Sequence, residues 1–267
     1  MGQRRYFLPQ RRDGRGREGA RRSAATRPQL VWAAMPPEPI HIAARETGGP
    51  LLAGLYWPAP AGSPGVVVVH GAGSRKENHS DFAELASRTG MAALALDLRG
   101  HGESGGVADA GMLDDVMVAL DALAARGLGP LGLRGSSLGG FLALHAAARH
   151  PAVRAVVALC PAQPAGLARV LGARWPLEFP LEPAVARRDG VARGLWHARG
   201  DERVPWQATF ALAQLAPQPR RLRIAMRGHH RSLQHDAGVL AETVSFLREH
   251  LGAAAPAAPP RGSRAGG

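Results

Sequence analysis

Residues 132–141 read GLRGSSLGGF, and their types suit a nucleophile held in a tight turn. Ser137 lies in the pattern G-x-S-x-G between Gly135 and Gly139, with an apolar run before it and a helix-like run after it. A bulky side chain at either glycine would collide with the neighbouring strand and helix in so sharp a turn. A serine hydroxyl on such a turn can attack an acyl carbon if a histidine takes its proton.

A glycine-rich turn, a carboxylate and histidines, which attack by a serine on an acyl carbon also needs, follow other apolar runs. HGAG comes directly after VVVV (66–69), and LWHARGDERVP brings Asp201 to the end of a later run. RIAMRGHHRSLQHD then offers His229 and His230, with His235 farther along. A serine, a carboxylate and a histidine that follow one another in this order can act together as a nucleophile, an orienting acid and a base.

The elements that must position these residues alternate between β-rich and helical runs. PIHIAA and LLAGLYW flank RETGGP and predict an opening antiparallel hairpin. Later strands are predicted at 66–69, 91–96, 131–134, 153–159, 193–198 and 221–226, and helices near 80–89, 112–126, 138–149, 206–215 and 234–250. The alternation predicts an α/β fold with a mainly parallel sheet and helices on both faces, whose ligands bind at the carboxyl ends of the strands.

From about residue 37 to 251 the chain resembles the α/β-hydrolase superfamily. The resemblance rests on the G-x-S-x-G turn between a strand and a helix, on HGAG, on the loop DLRGHGES (97–104) and on D-x-x-V-P at Asp201. The wording of HGAGSRKENH is most similar to the dienelactone-hydrolase-like and serine-aminopeptidase-like branches. Ser137 stands where true dienelactone hydrolases have a cysteine, which argues against dienelactone itself as the substrate.

The resemblance implies a role for each candidate residue. Ser137 would be the nucleophile, and Asp201 would orient the catalytic histidine. The backbone N–H groups of Ala72 and Leu138 would form the oxyanion hole. Glu202 is the rival of Asp201 and is expected to face solvent. The other strand end where the acid could lie, CPAQPAG (160–166), contains no carboxylate, which favours Asp201.

The histidine that acts as base is ambiguous in sequence. Aligning Gly228 with the glycine that often precedes the family's catalytic histidine favours His229, whereas counting from the end of the strand favours His230. We predict His229. His235 is expected to lie on the following helix, outside the site.

Three other polar residues near these motifs are interpreted as structural. His70 begins the HGAG turn, and His101 and Ser104 lie in the DLRGHGES loop. A hydrogen-bonding role in their loops explains all three, so none is predicted to take part in the chemistry.

These residues predict a serine hydrolase that cleaves a carboxylic ester through an acyl-enzyme. A peptidase or acyltransferase on the same three residues is the alternative, and a non-catalytic binding protein with this fold ranks third. A dehalogenase would need a carboxylate at position 137. No metal or organic cofactor is predicted, because H-E-x-x-H is missing and Cys160 stands alone among scattered histidines.

Substrate choice is expected to depend on residues 161–192, a short, proline-rich cap insertion. A cap of this length predicts an open site for a small or extended acyl or ester substrate. Trp175 and Phe179 are candidates to line an acyl pocket, although packing of a loop onto the core explains them equally well.

The charge of this 267-residue chain is concentrated at its ends. The net charge is +12, of which residues 1–28 carry +7, with nine arginines, and residues 252–267 carry +2. Both segments are predicted to be disordered tails that flank a domain at 29–251. Only one basic residue is a lysine, Lys76, so codon bias towards arginine explains the basicity better than nucleic-acid binding does.

Two further properties bear on location. No apolar run approaches the roughly 20 residues that span a bilayer, so no membrane partner is predicted. The lone Cys160 cannot form an internal disulfide, which fits a cytoplasmic protein. The oligomeric state stays open.

Overall fold

The fold is built around one eight-stranded sheet. The computed structural model describes residues 36–171, 179–187 and 189–252; Trp175 and the predicted tails, apart from Gly252, lie outside the described residues. Within these ranges the strands are β1 (Glu38–Ala43), β2 (Leu51–Trp57), β3 (Gly65–Val69), β4 (Ala92–Leu96), β5 (Leu131–Ser136), β6 (Val153–Leu159), β7 (Ala192–Ala198) and β8 (Arg220–Ala225).

The strand order is β1-β2-β4-β3-β5-β6-β7-β8. Strands β1 and β2 form the predicted antiparallel hairpin, and β2 pairs antiparallel with β4. All later pairings are parallel, from β4–β3 to β7–β8. The carboxyl ends of β3, β5, β7 and β8 therefore meet at one edge of the sheet, where the candidate residues follow each strand.

Helices cover both faces of the sheet. They are α1 (Ser80–Arg88), α2 (Met112–Ala125), α3 (Leu138–Ala147), α4 (Pro164–Leu171), α5 (Leu181–Ala186), α6 (Trp206–Leu215) and α7 (Ala237–Leu251). Helices α1 and α7 pack together on one face, and α2, α3, α5 and α6 contact one another in turn on the other. This arrangement confirms the predicted α/β fold.

The run of valines in β3 shows why the central strands are apolar throughout. Val67 and Val69 join the core under α2 and α3, whereas Val66 and Val68 join the core under α1 and α7. Because a central strand has no solvent face, alternate side chains are buried on opposite sides. Each fully buried aliphatic side chain contributes about 1.5–3 kcal/mol relative to an exposed one.

The segment between β6 and β7 contains two short helices that the sequence did not predict. Helix α5 packs between α3 and α6, and its side chains Leu181 and Val185 are fully buried in the main core. Part of the segment predicted as a cap thus closes the face of the domain. No helix among the described residues is long and apolar enough to cross a membrane.

Candidate active site

Ser137 occupies a strained turn at the centre of the sheet edge. Strand β5 ends at Ser136 and α3 begins at Leu138, so Ser137 alone makes the turn, with φ 53° and ψ −114°. Residues other than glycine rarely adopt a positive φ, and such strain persists only where neighbouring structure imposes it. Here the Ser137 N–H donates to Leu159 O (2.9 Å), and the Ser137 carbonyl accepts from Ala162 N (3.0 Å).

The glycines beside Ser137 are required by close backbone contacts. A Cβ at Gly135 would lie 2.1 Å from the carbonyl oxygen of Gly139, and a Cβ at Gly139 would lie 2.1 Å from that of Val69. Both distances are far shorter than a van der Waals contact with backbone. The structure thus confirms the physical reason given for the G-x-S-x-G pattern.

Ser137, His230 and Asp201 form a hydrogen-bonded row. His230 Nε2 is 3.0 Å from Ser137 Oγ, and His230 Nδ1 is 2.7 Å from Asp201 Oδ2. His230 is buried and the Asp201 side chain is fully buried, whereas Ser137 is half-buried. Loops after three different strands, β5, β7 and β8, bring these side chains together.

His230, not His229, lies in this row, so the prediction of His229 is wrong. His229 is exposed, and its backbone N–H donates to Ser232 Oγ (2.9 Å). Gly228 has a φ of 92°, and the Ser232 N–H donates to His229 O, which together form a turn that leaves His229 on the outside. Counting from the end of the strand, the alternative that favoured His230, gives the residue that the structure brings to Ser137.

The Asp201 carboxylate accepts hydrogen bonds at both oxygens. Oδ1 accepts from the backbone N–H groups of Arg203 (2.8 Å) and Val204 (2.9 Å), Oδ2 accepts from His230, and His197 Nε2 lies 3.1 Å from Oδ2. Burial acts to raise the pKa of Asp201, but the two histidines and the two backbone donors outweigh it and hold the pKa well below its ordinary value. Asp201 is therefore charged at neutral pH.

Glu202, the rival carboxylate, faces solvent as expected. Its side chain is 56% exposed, and its Oε2 accepts from the backbone N–H of His230 at 3.3 Å. Glu202 thus contacts the loop that carries His230 without entering the row itself.

The HGAG turn packs directly against Ser137. A Cβ added to Gly71 would lie 3.3 Å from the Cβ of Ser137. Among the described residues, no backbone carbonyl accepts from the N–H of Ala72 or of Leu138, the first residue of α3. The N–H of Leu138 lies at the N-terminus of α3, where negative charge is favoured, and Ala72 lies in the adjacent HGAG turn.

His70 has the structural role that was predicted for it. Its Nδ1 donates to Gly71 O (2.7 Å), and its Nε2 accepts from Leu98 N–H (3.1 Å). Burial lowers the pKa of His70 to about 4, so the ring is neutral and joins the HGAG turn to the loop after β4. In that loop, the Ser104 hydroxyl donates to Asp97 O (2.7 Å).

Lys76 holds the HGAG loop in place, a role that was not predicted from the sequence. Lys76 is buried, and its Nζ lies 2.8 Å from Asp97 Oδ2 and 2.7 Å from Glu103 Oε2. Burial acts to lower the pKa of Lys76, but these carboxylates outweigh it and raise the pKa above its ordinary value. The signal available in the sequence was that Lys76 is the only lysine of an arginine-rich chain.

Phe179 and His235 lie away from the row. Phe179 packs edge-on against His145 of α3 and under Arg149, which follows α3. These contacts favour the packing role over an acyl pocket. His235 lies in a short 3-10 helix before α7 and pairs with Asp81 at 2.8 Å.

One group of side chains beside the row has types that can bind metals. Potential ligand atoms of Cys160, His197 and Asp201 lie within 4.8 Å of one another, the one such group among the described residues. Burial and the neighbouring Asp201 charge raise the pKa of the Cys160 thiol, which disfavours the thiolate that a metal needs. Hydrogen bonds already engage His197 and Asp201, so we assign no metal to this group.

A cavity of about 350 Å³ opens beside Asp201, and Ser137 does not line it. Its walls come from the loop after β7 and from the start of α6: Arg199, Asp201, Glu202, Arg203, Pro205, Trp206 and Gln207.

The eight-stranded sheet has the fold of the α/β hydrolases, and known proteins are similar to the chain. Residues 63–180 match the family described as serine aminopeptidase, S33, a segment that includes the HGAG turn and Ser137 but ends before Asp201. The solved structures that superpose on the chain show that its fold is the α/β-hydrolase fold.

One curated relative and many solved structures are similar to the chain. A segment of 128 residues is 34% identical to the pimeloyl-[acyl-carrier protein] methyl ester esterase of Neisseria meningitidis serogroup C. That segment covers 48% of this chain and 46% of the relative, so the match spans about half the relative's length.

Two solved structures illustrate the likeness of fold. The α/β hydrolase GrgF from Penicillium superposes with a TM-score of 0.67 at 17% identity, over 82% of this chain and 100% of its own. The esterase Pf2001 from Pyrococcus furiosus gives a TM-score of 0.67 at 17% identity, over 80% and 93% of the two chains.

Proposed function

We propose that the protein is a serine hydrolase that cleaves a carboxylic ester through an acyl-enzyme on Ser137. The observation that carries the proposal is the row of side chains in which His230 lies 3.0 Å from Ser137 and 2.7 Å from Asp201. The name of the Neisseria relative supports an ester as the substrate.

The contacts in this row indicate which nitrogen of His230 carries a proton before the reaction. The charged Asp201 carboxylate only accepts hydrogen bonds, so His230 Nδ1 carries a proton and donates it to Oδ2. In the neutral ring Nε2 is then an acceptor, and the Ser137 hydroxyl donates to it. The imidazole is thus oriented to remove the proton of Ser137.

In the acylation step, Ser137 Oγ forms a bond to the acyl carbon while His230 Nε2 takes the hydroxyl proton. The carbonyl oxygen becomes negative, and the N–H groups of Ala72 and Leu138 donate to it. The bond to the alcohol oxygen then breaks, and His230 returns the proton to the leaving alcohol. Asp201 stabilises the imidazolium throughout.

In the deacylation step, water attacks the acyl carbon and gives a proton to His230. The bond to Ser137 Oγ breaks, Oγ recovers the proton, and the carboxylic acid leaves. Each removal of one oxyanion donor in such a site costs about 10²- to 10³-fold in kcat.

A peptidase that uses the same three residues is the second candidate, because the family matched by residues 63–180 is described as a serine aminopeptidase. The remaining features of the proposal are a small-molecule acyl or ester substrate, tails outside a single domain at 29–251, and a cytoplasmic location, which the lone Cys160 supports.

A substrate panel separates the two candidates. We expect purified protein to hydrolyse p-nitrophenyl esters of increasing acyl length, and to leave aminoacyl p-nitroanilides uncleaved, because an amide expels a poorer leaving group. The measurement is kcat/KM for each member of the panel. Aminoacyl anilides cleaved as fast as the esters would replace the esterase with a peptidase, and no turnover of either would contradict both.

A further inference from the structure

A second histidine, His197, contacts the carboxylate of Asp201. It lies on β7 four residues before Asp201, and its side chain is fully buried. Its Nδ1 is 2.6 Å from Thr209 Oγ1 on α6, and its Nε2 is 3.0 Å from Val204 O and 3.1 Å from Asp201 Oδ2. All of these partners are buried with it or belong to the loop that follows β7.

The partners of His197 fix where its proton lies. Both groups that face Nε2, the Val204 carbonyl and the Asp201 carboxylate, are acceptors only. Nε2 therefore carries a proton whether the ring is neutral or charged. The Thr209 hydroxyl can donate to Nδ1 or accept from it, so it suits either state. His197 is thus a fixed donor whose N–H bonds to Val204 O and lies beside Asp201 Oδ2.

Two histidines lie beside Asp201 Oδ2, whereas Oδ1 accepts from two backbone N–H groups. The backbone donors hold one oxygen, and His230 and His197 both lie within 3.1 Å of the other. A carboxylate with donors at both oxygens cannot rotate away from His230 without breaking a charge-assisted hydrogen bond.

We propose that His197 is a positioning residue for the reaction at Ser137: its Nε2–H fixes the orientation of Asp201 and limits the negative charge that Asp201 presents to His230. The inference rests on the proposed function, because His197 acts only through Asp201 and His230. In the purely structural alternative, His197 only holds the loop after β7 closed through its hydrogen bond to Val204 O.

The positioning role and the structural role predict different effects when the His197 donor is removed. Without His197, Oδ2 would serve His230 alone, and the Asp201 carboxylate would be oriented only by the backbone donors at Oδ1 and by His230 itself. Reaction would slow at the chemical step, and substrate binding would be little affected. The unshared charge would also favour protonation of His230, which moves the acidic limb of the activity profile to higher pH.

Few other titratable groups face this cluster, and one of them, the Cys160 thiol, also contacts the Asp201 carboxylate. The uncharged Ile224 of β8 lies opposite His197 in the sheet, and α6 contributes the uncharged Thr209. The titratable and charged groups come from three elements: Cys160 at the end of β6, Glu202 and Arg203 after β7, and His230 after β8. Burial keeps Cys160 protonated, and Glu202 and Arg203 pair with each other at 3.8 Å on the surface.

The test compares variants at position 197 that keep or lose the donor. His197→Phe keeps the ring volume without a donor, and His197→Gln keeps an N–H at the position of Nε2. We expect the Phe variant to lose about ten- to hundredfold in kcat for a p-nitrophenyl ester, the scale of one hydrogen bond to a charged group, with KM nearly unchanged. Its acidic limb should lie at higher pH, and the Gln variant should restore both quantities.

A measurement without substrate keeps this inference separate from the proposed function. The proton between His230 and Asp201 should give a downfield ¹H NMR signal, which is expected to shift in the Phe variant and to stay near its wild-type position in the Gln variant. His197→Met serves as the donor-free variant if His197→Phe does not fold. Equal loss of kcat in the donor-free and Gln variants, with the acidic limb and the NMR signal unmoved, would overturn the proposal. Wild-type protein without esterase activity would contradict the proposed function, while the NMR comparison would still decide the role of His197.

Discussion

Replacing Ser137 with alanine is expected to lower kcat for ester hydrolysis by about 10⁶-fold, the scale seen when a nucleophile acts as a unit with its base. The variant keeps the turn but has no oxygen to attack the acyl carbon. Steady-state rates with the best p-nitrophenyl ester measure the loss. Because alanine at φ 53° is no less strained than serine, unfolding by urea serves to confirm that the variant is folded.

Ser136→Ala is the matched control for this variant. Ser136 is the last residue of β5 and is buried, whereas Ser137 faces His230. The control should retain most of the wild-type kcat. Turnover that survives in Ser137→Ala and disappears in Ser136→Ala would move the nucleophile to the neighbouring serine.

His230→Ala is expected to have an effect of similar size, about 10⁶-fold in kcat, because His230 Nε2 is the group within hydrogen-bond distance of Ser137 Oγ that takes its proton. His229→Ala should retain most of the activity, since His229 is exposed and outside the row. The comparison is made on kcat at neutral pH with the same ester. A large loss in His229→Ala with an active His230→Ala variant would contradict the geometry described for the row.

The histidine pair shows what a sequence pattern leaves open. Both residues follow the same strand, and local spacing fits either one as the base. What decides between them is the turn made by Gly228 and Ser232, which depends on a positive φ and on a side-chain hydrogen bond. Glycine offers that conformation without requiring it, so its presence in the sequence could not select His230.

The turn at Ser137 was predictable because its constraints are local. Gly135 and Gly139 are needed by backbone contacts within the same strand, turn and helix or with the adjacent strand. Apolar runs such as β3 likewise indicated buried central strands, since their side chains are covered on both faces. Close backbone contacts and continuous apolar runs were therefore predictable from the sequence.

Contacts between distant segments were not predictable in the same way. Helix α5 is short and follows a proline, and its burial depends on α3 and α6, which are far from it in sequence. The contact of His197 with Asp201 was missed for a different reason, since the two are only four residues apart: it depends on how the loop after β7 folds back. A histidine in a buried strand, four residues before the candidate acid, was the one available signal of a polar contact there.

Covalent labelling with a fluorophosphonate probe, followed by mass spectrometry of peptides, tests the nucleophile most directly. An activated serine beside a neutral histidine attacks the phosphorus of the probe, whereas an ordinary surface serine does not. We expect one adduct, on Ser137, which is absent in Ser137→Ala and strongly slowed in His230→Ala. Labelling of Ser136, or labelling that persists in Ser137→Ala, would contradict the assignment of Ser137 as the nucleophile.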